Sequence, residues 1–183
     1  RYAEFRTKFV EATLSVEVGG IGAQPRQMGP LISDRRVTAL HELVEDAIAQ
    51  GANCLTGGSR LPRKGFYYSP TVLADLSGRE RAMQEEPFGP LALLMPFNTL
   101  DQAILLANST RYGLAAYAFT ESARTARLLS ERIESGYLAI NHGAATPTGA
   151  PFGGVKDSGY GREGGTEGLL EFTQTRVVSH KAY

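Results

Sequence analysis

Three apolar runs of strand length in the second half of the chain constrain the fold more than any other feature. They cover residues 91–97, 115–120 and 137–141 and are almost entirely apolar. A strand that is apolar throughout is buried on both faces, which is typical of parallel sheets covered by helices. The chain therefore has to supply helices between these runs.

Helix signals do separate them. Thr99 with Gln102 forms a capping box that predicts a helix over residues 99–108, and Ser122 caps a second helix that we expect Gly136 to end. The order β-α-β-α-β predicts an α/β fold, a three-layer open and mostly parallel sheet with helices on both faces. In such a sheet, functional residues lie at the carboxyl ends of the strands.

The first half of the chain predicts two further helices. Apolar residues recur at steps of three and four over residues 2–16, which indicates an amphipathic helix. Ser33 or Asp34 offers the N-cap of the next helix, and Gly51 is its expected stop.

Short β-prone segments lie outside these helices. Residues 66–68 and 71–73 are separated by Ser69-Pro70, and we expect them to be edge strands or a loose hairpin. Residues 175–179 form a third β-prone segment near the end of the chain.

Composition argues against several classes of partner. Lys and Arg number 19, as do Asp and Glu, so there is no net field to hold nucleic acid or an anionic membrane surface. No apolar run approaches the roughly 18 residues that span a bilayer. The first residue is Arg1 and no signal peptide follows it, so we expect a truncated, cytoplasmic protein.

Cysteine and histidine usage predicts no metal site. His41, His142 and His180 are scattered and Cys54 is the sole cysteine, so neither zinc-ligand spacing nor a Cys-His pair can be assembled. We expect Cys54 to be a small buried hydrophobic residue.

Gly159, Gly161 and Gly164 spell G-x-G-x-x-G, the pattern of dinucleotide-binding folds. That pattern should follow a strand directly and place an acidic residue about 20 positions further on. Here a Gly-rich segment precedes it and the chain stops 19 residues after Gly164. We therefore interpret these glycines as a loop.

Glu85 and Glu86 stand before Pro87-Phe88-Gly89-Pro90, which predicts a stiff loop next to a buried strand. A carboxylate held there can accept two hydrogen bonds from a vicinal diol such as a ribose. From the residues alone, a solvated charge pair remains an equal alternative.

The order of two motifs resembles the catalytic segment of NAD(P)-dependent aldehyde dehydrogenases. The first is Glu86-Pro87-Phe88-Gly89-Pro90, and the second is the run from Pro151 to Glu163, which reads PFGGVKDSGYGRE. The resemblance implies that Glu86 holds the nicotinamide ribose of NAD or NADP and that Phe88 lies beside the nicotinamide. It extends over essentially the whole chain.

The same resemblance implies roles for three later residues. Phe152 would line the aldehyde pocket, and Glu163 would be a buried acid that supports the water-activating base or proton exit. Thr146 falls where succinate-semialdehyde dehydrogenases commonly have a Ser that contacts the substrate carboxylate, and a Thr hydroxyl can make the same hydrogen bond.

In that family a cysteine thiolate attacks the aldehyde, a hydride passes to NAD(P), and water activated by a Glu hydrolyses the thioester. By resemblance, the nucleophile, the base and the nucleotide-binding domain would all precede Arg1, and Cys54 does not match the nucleophile. We therefore expect residues 1–173 to be a partial catalytic domain that is inactive alone. Residues 174–183 would be an arm that joins subunits of a homo-oligomer by strand addition.

Two other functions remain open at the level of the sequence. One is a non-catalytic binding or assembly module that keeps the fold and the arm. The other is an acyl-phosphate reductase, a class that shares this architecture.

Overall fold

The computed structural model describes residues 1–20, 28–144 and 146–182. Its helices are α1 (Tyr2–Leu14), α2 (Asp34–Ala49), α3 (Leu100–Asn108), α4 (Ala123–Arg132) and α5 (Gly165–Leu170), with a 3-10 turn at Arg81–Met83. Its strands are β1 (Asn53–Thr56), β2 (Thr71–Ala74), β3 (Leu91–Leu94), β4 (Tyr112–Gly113), β5 (Ala115–Ala118), β6 (Tyr137–Ile140) and β7 (Val155–Lys156). The chain forms two compact units, Arg1–Phe97 and Asn98–Tyr183.

The first unit is built on a three-stranded sheet in the order β1-β2-β3. Strand β1 runs antiparallel to β2, and β2 runs parallel to β3. All four residues of β2 are buried, so the expectation that this segment is an edge strand or loose hairpin is wrong. The proline at position 70 suggested an edge strand. It immediately precedes β2, however, where the missing N–H costs no hydrogen bond of the sheet.

Helix α2 covers this sheet with an apolar stripe. The Ser33 hydroxyl accepts a hydrogen bond from the Arg36 N–H, and Gly51 follows the helix at φ 102°, so both predicted ends are confirmed. The stripe and the sheet share one core, which includes Leu40, Val44, Tyr68 and Leu73. Full burial of each aliphatic side chain of this size contributes about 1.5–3 kcal/mol.

Helix α1 confirms the first predicted helix as far as Leu14, but Phe5 of its expected apolar stripe is exposed. None of its residues is buried, although Tyr2 and Phe9 pack against Val72 and Leu94. The Tyr2 hydroxyl also donates to the Leu94 carbonyl at 3.2 Å.

The second unit contains the predicted alternation of strands and helices. Strands β5 and β6 are parallel and are connected through α4, while the short strands β4 and β7 pair antiparallel. Thr99 and Ser122 cap α3 and α4 by accepting hydrogen bonds from the backbones of Gln102 and Thr125. The parallel pairs and their helices confirm the α/β class.

Gly136 has a different role from the one predicted. Helix α4 ends at Arg132, so Gly136 is not its stop. Its N–H donates to the Gly113 carbonyl at 3.0 Å, immediately before β6. The helix ends earlier because Ile133 turns to extended backbone.

The last segment carries no strand within residues 171–182, and Phe172, Val177 and Val178 are exposed. The predicted arm over residues 174–183 and the domain over residues 1–173 therefore stay predictions. In the described part of the chain, no helix combines the length and apolarity needed to cross a membrane.

Candidate functional site

The site residues predicted from the sequence fall in both units. Glu86 and Phe88 belong to the first unit, whereas Thr146, Phe152 and Glu163 belong to the second.

In the first unit, the two adjacent glutamates have different environments. Arg81 binds the Glu85 carboxylate through Nε to Oε1 at 2.8 Å and Nη2 to Oε2 at 3.2 Å. This hydrogen bonding lowers the pKa of Glu85 and raises that of Arg81. Glu86 is exposed, and its side chain makes no hydrogen bond or ion pair within the described residues. Glu86 is thus the carboxylate that is available to a ligand.

The loop that carries Glu86 is packed tightly against α2. A β-carbon at Gly89 would overlap the side chain of Leu40, so a larger residue at this position would require the Leu40 side chain to move. The Phe88 N–H donates to the Glu86 carbonyl at 3.0 Å, which closes the turn.

The Phe88 ring remains 60% exposed despite this anchoring. The guanidinium carbon of Arg36, in the first turn of α2, lies 5.5 Å from the ring centroid. A cation at this distance over an aromatic face is attracted by the ring quadrupole. One face of the ring is therefore held by the protein while much of its surface stays open.

The 3-10 turn before the loop is fixed by two further carboxylates. Glu80 is 0% exposed and accepts hydrogen bonds from the Ser77 N–H and hydroxyl and from the Gly78 N–H. Burial alone would raise the pKa of Glu80, but these hydrogen bonds outweigh it and the pKa is lowered. Asp46 of α2 accepts from the Arg81 N–H at 2.9 Å. The turn that presents Arg81 is thereby bound to α2.

A cavity of about 390 Å³ borders the same loop. It is lined by Met28, Gly29, Pro30, Leu31, Tyr68, Gly89 and Pro90. Glu86 and Phe88 are not among its lining residues, so the cavity is separate from the carboxylate and ring that the sequence singled out. Burial raises the pKa of Tyr68 to about 12, and its hydroxyl lies 3.0 Å from His41 Nδ1.

In the second unit, two predicted site residues are directly paired. The Phe152 N–H donates to the Glu163 carbonyl, and the Glu163 N–H donates to the Phe152 carbonyl, both at 2.7 Å. The resemblance implied a buried Glu163, but its side chain is exposed in this chain.

Two cations of the second motif, Lys156 and Arg162, donate hydrogen bonds to backbone carbonyls. Lys156 Nζ donates to the carbonyls of Asn108 and Thr110, at 2.9 and 3.2 Å. Arg162 Nη1 donates to the Gly154 and Gly161 carbonyls, both at 2.8 Å. These two cations therefore hold backbone in place, whereas the side chain of Glu163 in the same motif is exposed.

The glycine pattern of this motif forms a loop, as predicted. Gly159 and Gly164 have φ of 133° and 71°, which favour glycine. Strand β7, which precedes them, pairs antiparallel with β4, so this segment is no parallel β-α-β nucleotide unit.

An aromatic cluster adjoins Phe152. The Tyr137 ring meets the Phe152 ring edge-on, with centroids 6.0 Å apart, and the Tyr117 ring at 6.3 Å. The Tyr137 hydroxyl donates to the Ala144 carbonyl at 3.1 Å. Thr146, two residues further along the chain, is half-buried.

Cys54 is exposed, so the prediction of a buried thiol is wrong. It lies in β1, an edge strand of the three-stranded sheet, where its side chain is less covered than the residues of central strand β2. Partial desolvation still raises the pKa of its thiol, which donates to the Thr56 carbonyl at 3.4 Å. No group of three or more His, Cys, Asp or Glu side chains that could hold a metal occurs in the described ranges.

Sequence reasoning missed Arg81, Arg36, Glu80 and Tyr137. The four-residue spacing of Arg81 and Glu85 was a visible signal, since such pairs meet on a helical turn. Glu80 also had a local signal, since it accepts from Ser77 and Gly78, three and two residues earlier. The contacts of Arg36 with Phe88 and of Tyr137 with Phe152 join residues far apart in the chain, which no local pattern indicates.

The profile of the aldehyde dehydrogenase family matches residues 1–178. The 4-(hydroxymethyl)benzenesulfonate dehydrogenase TsaD1 of Comamonas testosteroni is 45% identical over 181 residues, which cover 99% of this chain and 37% of that relative. A succinate-semialdehyde dehydrogenase of Paenarthrobacter nicotinovorans is 41% identical over 175 residues, covering 96% of this chain and 39% of that relative.

Solved structures show the same relationship. The aldehyde dehydrogenase of Mycobacterium tuberculosis complexed with NAD⁺ is similar at a TM-score of 0.89 and 38% identity, over 95% of this chain and 36% of that one. Succinate-semialdehyde dehydrogenase from Burkholderia pseudomallei is similar at a TM-score of 0.88 and 36% identity, over 93% and 36%. The chain spans less than two fifths of the length of these four relatives.

Proposed function

Because the chain belongs to the aldehyde dehydrogenase family, we propose that it forms part of an enzyme that oxidises an aldehyde to a carboxylate with NAD or NADP. In this proposal the first unit holds the nicotinamide end of the cofactor, and the second forms one wall of the aldehyde pocket.

The observation that carries the proposal is that Glu85 is bound by Arg81 whereas the neighbouring Glu86 carboxylate is not. Arg81 occupies the first carboxylate, while the second is exposed, free of partners in the described chain and held in a loop packed on α2. A free, rigidly presented carboxylate suits a ribose diol, since charge-assisted hydrogen bonds are roughly twice as strong as neutral ones.

Phe88 complements this carboxylate. Its exposed ring is two residues from Glu86 and has the flat apolar surface that a nicotinamide ring can pack against. When bound, NAD or NADP would supply the hydride acceptor. Glu86 and Phe88 would orient its nicotinamide end.

We propose that the aldehyde carries an anionic group. Two relatives, TsaD1 of Comamonas testosteroni and the enzyme of Paenarthrobacter nicotinovorans, are named for anionic molecules, a benzenesulfonate and a semialdehyde of succinate. Thr146 would donate a hydrogen bond to that anion and Phe152 would contact the aldehyde. Glu163, whose backbone is tied to Phe152, would support the base that activates water.

We further propose that the 183-residue polypeptide does not oxidise aldehydes by itself. By resemblance, neither the family's nucleophilic cysteine nor its base Glu matches a residue of this sequence. Assembly as a homo-oligomer through residues 174–183 and location in the cytoplasm remain predictions.

The decisive experiment compares Glu86→Gln with Glu85→Gln in the intact enzyme. Single-turnover formation of the reduced nucleotide measures hydride transfer in each variant. We expect Glu86→Gln to slow this step by up to about 100-fold, because misplacement of reacting groups by about 1 Å can cost that much. Glu85→Gln should leave it unchanged, and equal rates in all three proteins would refute the ribose-binding role.

A further inference from the structure

We infer that Tyr137 is a positioning residue that ties both proposed substrate contacts, Phe152 and Thr146, to the start of β6. The inference rests on the proposed function, because it concerns how the aldehyde pocket of that function keeps its shape. Tyr137 itself need not touch the aldehyde.

Backbone hydrogen bonds hold Tyr137 firmly in place at the start of β6. Its N–H donates to the Leu114 carbonyl at 3.0 Å, and its carbonyl accepts from the Ser135 hydroxyl at 2.7 Å. It also pairs with Ala115 in the parallel β5-β6 ladder. A side chain that leaves such a position can transmit the rigidity of the strand to a loop.

The ring of Tyr137 supports Phe152. The two rings lie 6.0 Å apart at an interplanar angle of 65°, within the favourable range for edge-to-face pairs. The Phe152 backbone is already held by its bridge to Glu163. Contact with Tyr137 therefore restrains the remaining freedom, which is the direction of the Phe152 ring.

The hydroxyl of Tyr137 performs a second task. It donates to the carbonyl of Ala144, seven residues later and two before Thr146. The loop leaves β6 at Asn141, whose amide clamps the Thr120 backbone through bonds of 2.8 and 2.9 Å. The Tyr137 hydroxyl is thus the next tether along the loop toward Thr146.

These two contacts predict separable effects of two substitutions. Tyr137→Phe removes only the tether, whereas Tyr137→Leu also removes the ring. Loss of the tether should weaken the contact between Thr146 and a substrate anion. Loss of the ring should weaken the binding of every aldehyde, with or without an anionic group.

The test measures KM and kcat of the intact enzyme with succinate semialdehyde and with butanal, an uncharged aldehyde of the same chain length. We expect Tyr137→Phe to raise KM for succinate semialdehyde about fivefold, the effect of one typical hydrogen bond, and to leave KM for butanal unchanged. Tyr137→Leu should raise KM for both. Tyr160→Phe, at a tyrosine that is 96% exposed, is the matched control and should change neither.

A double variant separates failure of this inference from failure of the proposed function. If Thr146→Val raises KM for succinate semialdehyde, Tyr137→Phe added to it should have little further effect, because both remove the same contact. An effect of Thr146→Val without one of Tyr137→Phe overturns the positioning role. An effect of Tyr137→Phe without one of Thr146→Val overturns the proposed anion contact. If Tyr137 has only a general structural role, Tyr137→Phe should change KM for both aldehydes equally. That result would also overturn the inference.

Discussion

The carbonyl oxygen of Gly153 occupies the space that a β-carbon at Gly136 would need. Strand β6 and the loop that carries Phe152 can approach this closely only because position 136 has no side chain. The packing of β6 against this loop, and with it the position of Phe152, depends on one glycine.

Gly136→Ala should force the Phe152 loop away from β6. We expect a loss of about 1–3 kcal/mol in the free energy of unfolding, typical of overpacking, together with a lower kcat/KM for aldehyde. Denaturant unfolding and steady-state kinetics measure the two effects. Gly143→Ala is the matched control, because beyond its two chain neighbours no atom of the described residues lies within 4 Å of the added carbon, and its φ is ordinary. Equal stability of both variants would contradict the packing argument.

Arg36 should support the cofactor through Phe88. Its interaction with the ring is of the exposed kind, worth about 0.5–1 kcal/mol. Arg36→Met should therefore raise KM for the nucleotide roughly two- to fivefold. Arg35→Met, at the exposed neighbouring position, should not change it.

The effect of Arg36→Met on KM for the nucleotide should require the Phe88 ring, whereas a general effect of charge would not. In a Phe88→Leu background, Arg36→Met should have no further effect on KM, since the ring it supports is gone. Additive effects of the two substitutions would show that Arg36 acts in another way.

Glu80 should make stability depend on pH. Its pKa is lowered in the folded protein from an ordinary value of 4.5, so its contribution is present above that pH and is lost as the pH falls through the folded pKa. Glu80→Gln should lower the free energy of unfolding at pH 7 by about 3 kcal/mol, because three partly buried donors of Ser77 and Gly78 lose a charged acceptor.

The pH comparison provides the check on Glu80. The stability gap between wild type and Glu80→Gln, measured by urea unfolding, should narrow below about pH 4.5. A gap that stays constant between pH 7 and pH 4 would argue against an ionised Glu80. Glu121→Gln, at an exposed position, serves as the control and should shift stability by no more than about 0.5 kcal/mol.

Cys54 should be dispensable for catalysis. Its thiol has a raised pKa and donates to the Thr56 carbonyl, whereas a nucleophile needs a stabilised thiolate. Cys54→Ser in the intact enzyme should retain kcat within about twofold, and the 183-residue polypeptide should show no aldehyde-dependent nucleotide reduction. Loss of activity in Cys54→Ser would assign this thiol a role in the reaction.

The sequence by itself determined the features that depend on near neighbours in the chain. Ser33, Thr99 and Ser122 cap their helices through bonds that reach three residues ahead, so local patterns were sufficient to predict them. Apolar runs likewise predicted that β3, β5 and β6 are strands. The expectation that they are buried on both faces was wrong for β5, whose residues alternate between exposed and half-buried.

Only the tertiary structure decided which neighbours from distant parts of the chain meet. The Arg81 N–H donates to Asp46, 35 residues earlier, and this bond fixes the turn. In that turn Arg81 binds Glu85 and not Glu86. Gly136 likewise acquires its role from the Gly153 carbonyl rather than from the helix before it. Such contacts form only when helices and strands that are far apart in the chain pack together. Short sequence patterns therefore do not reveal them.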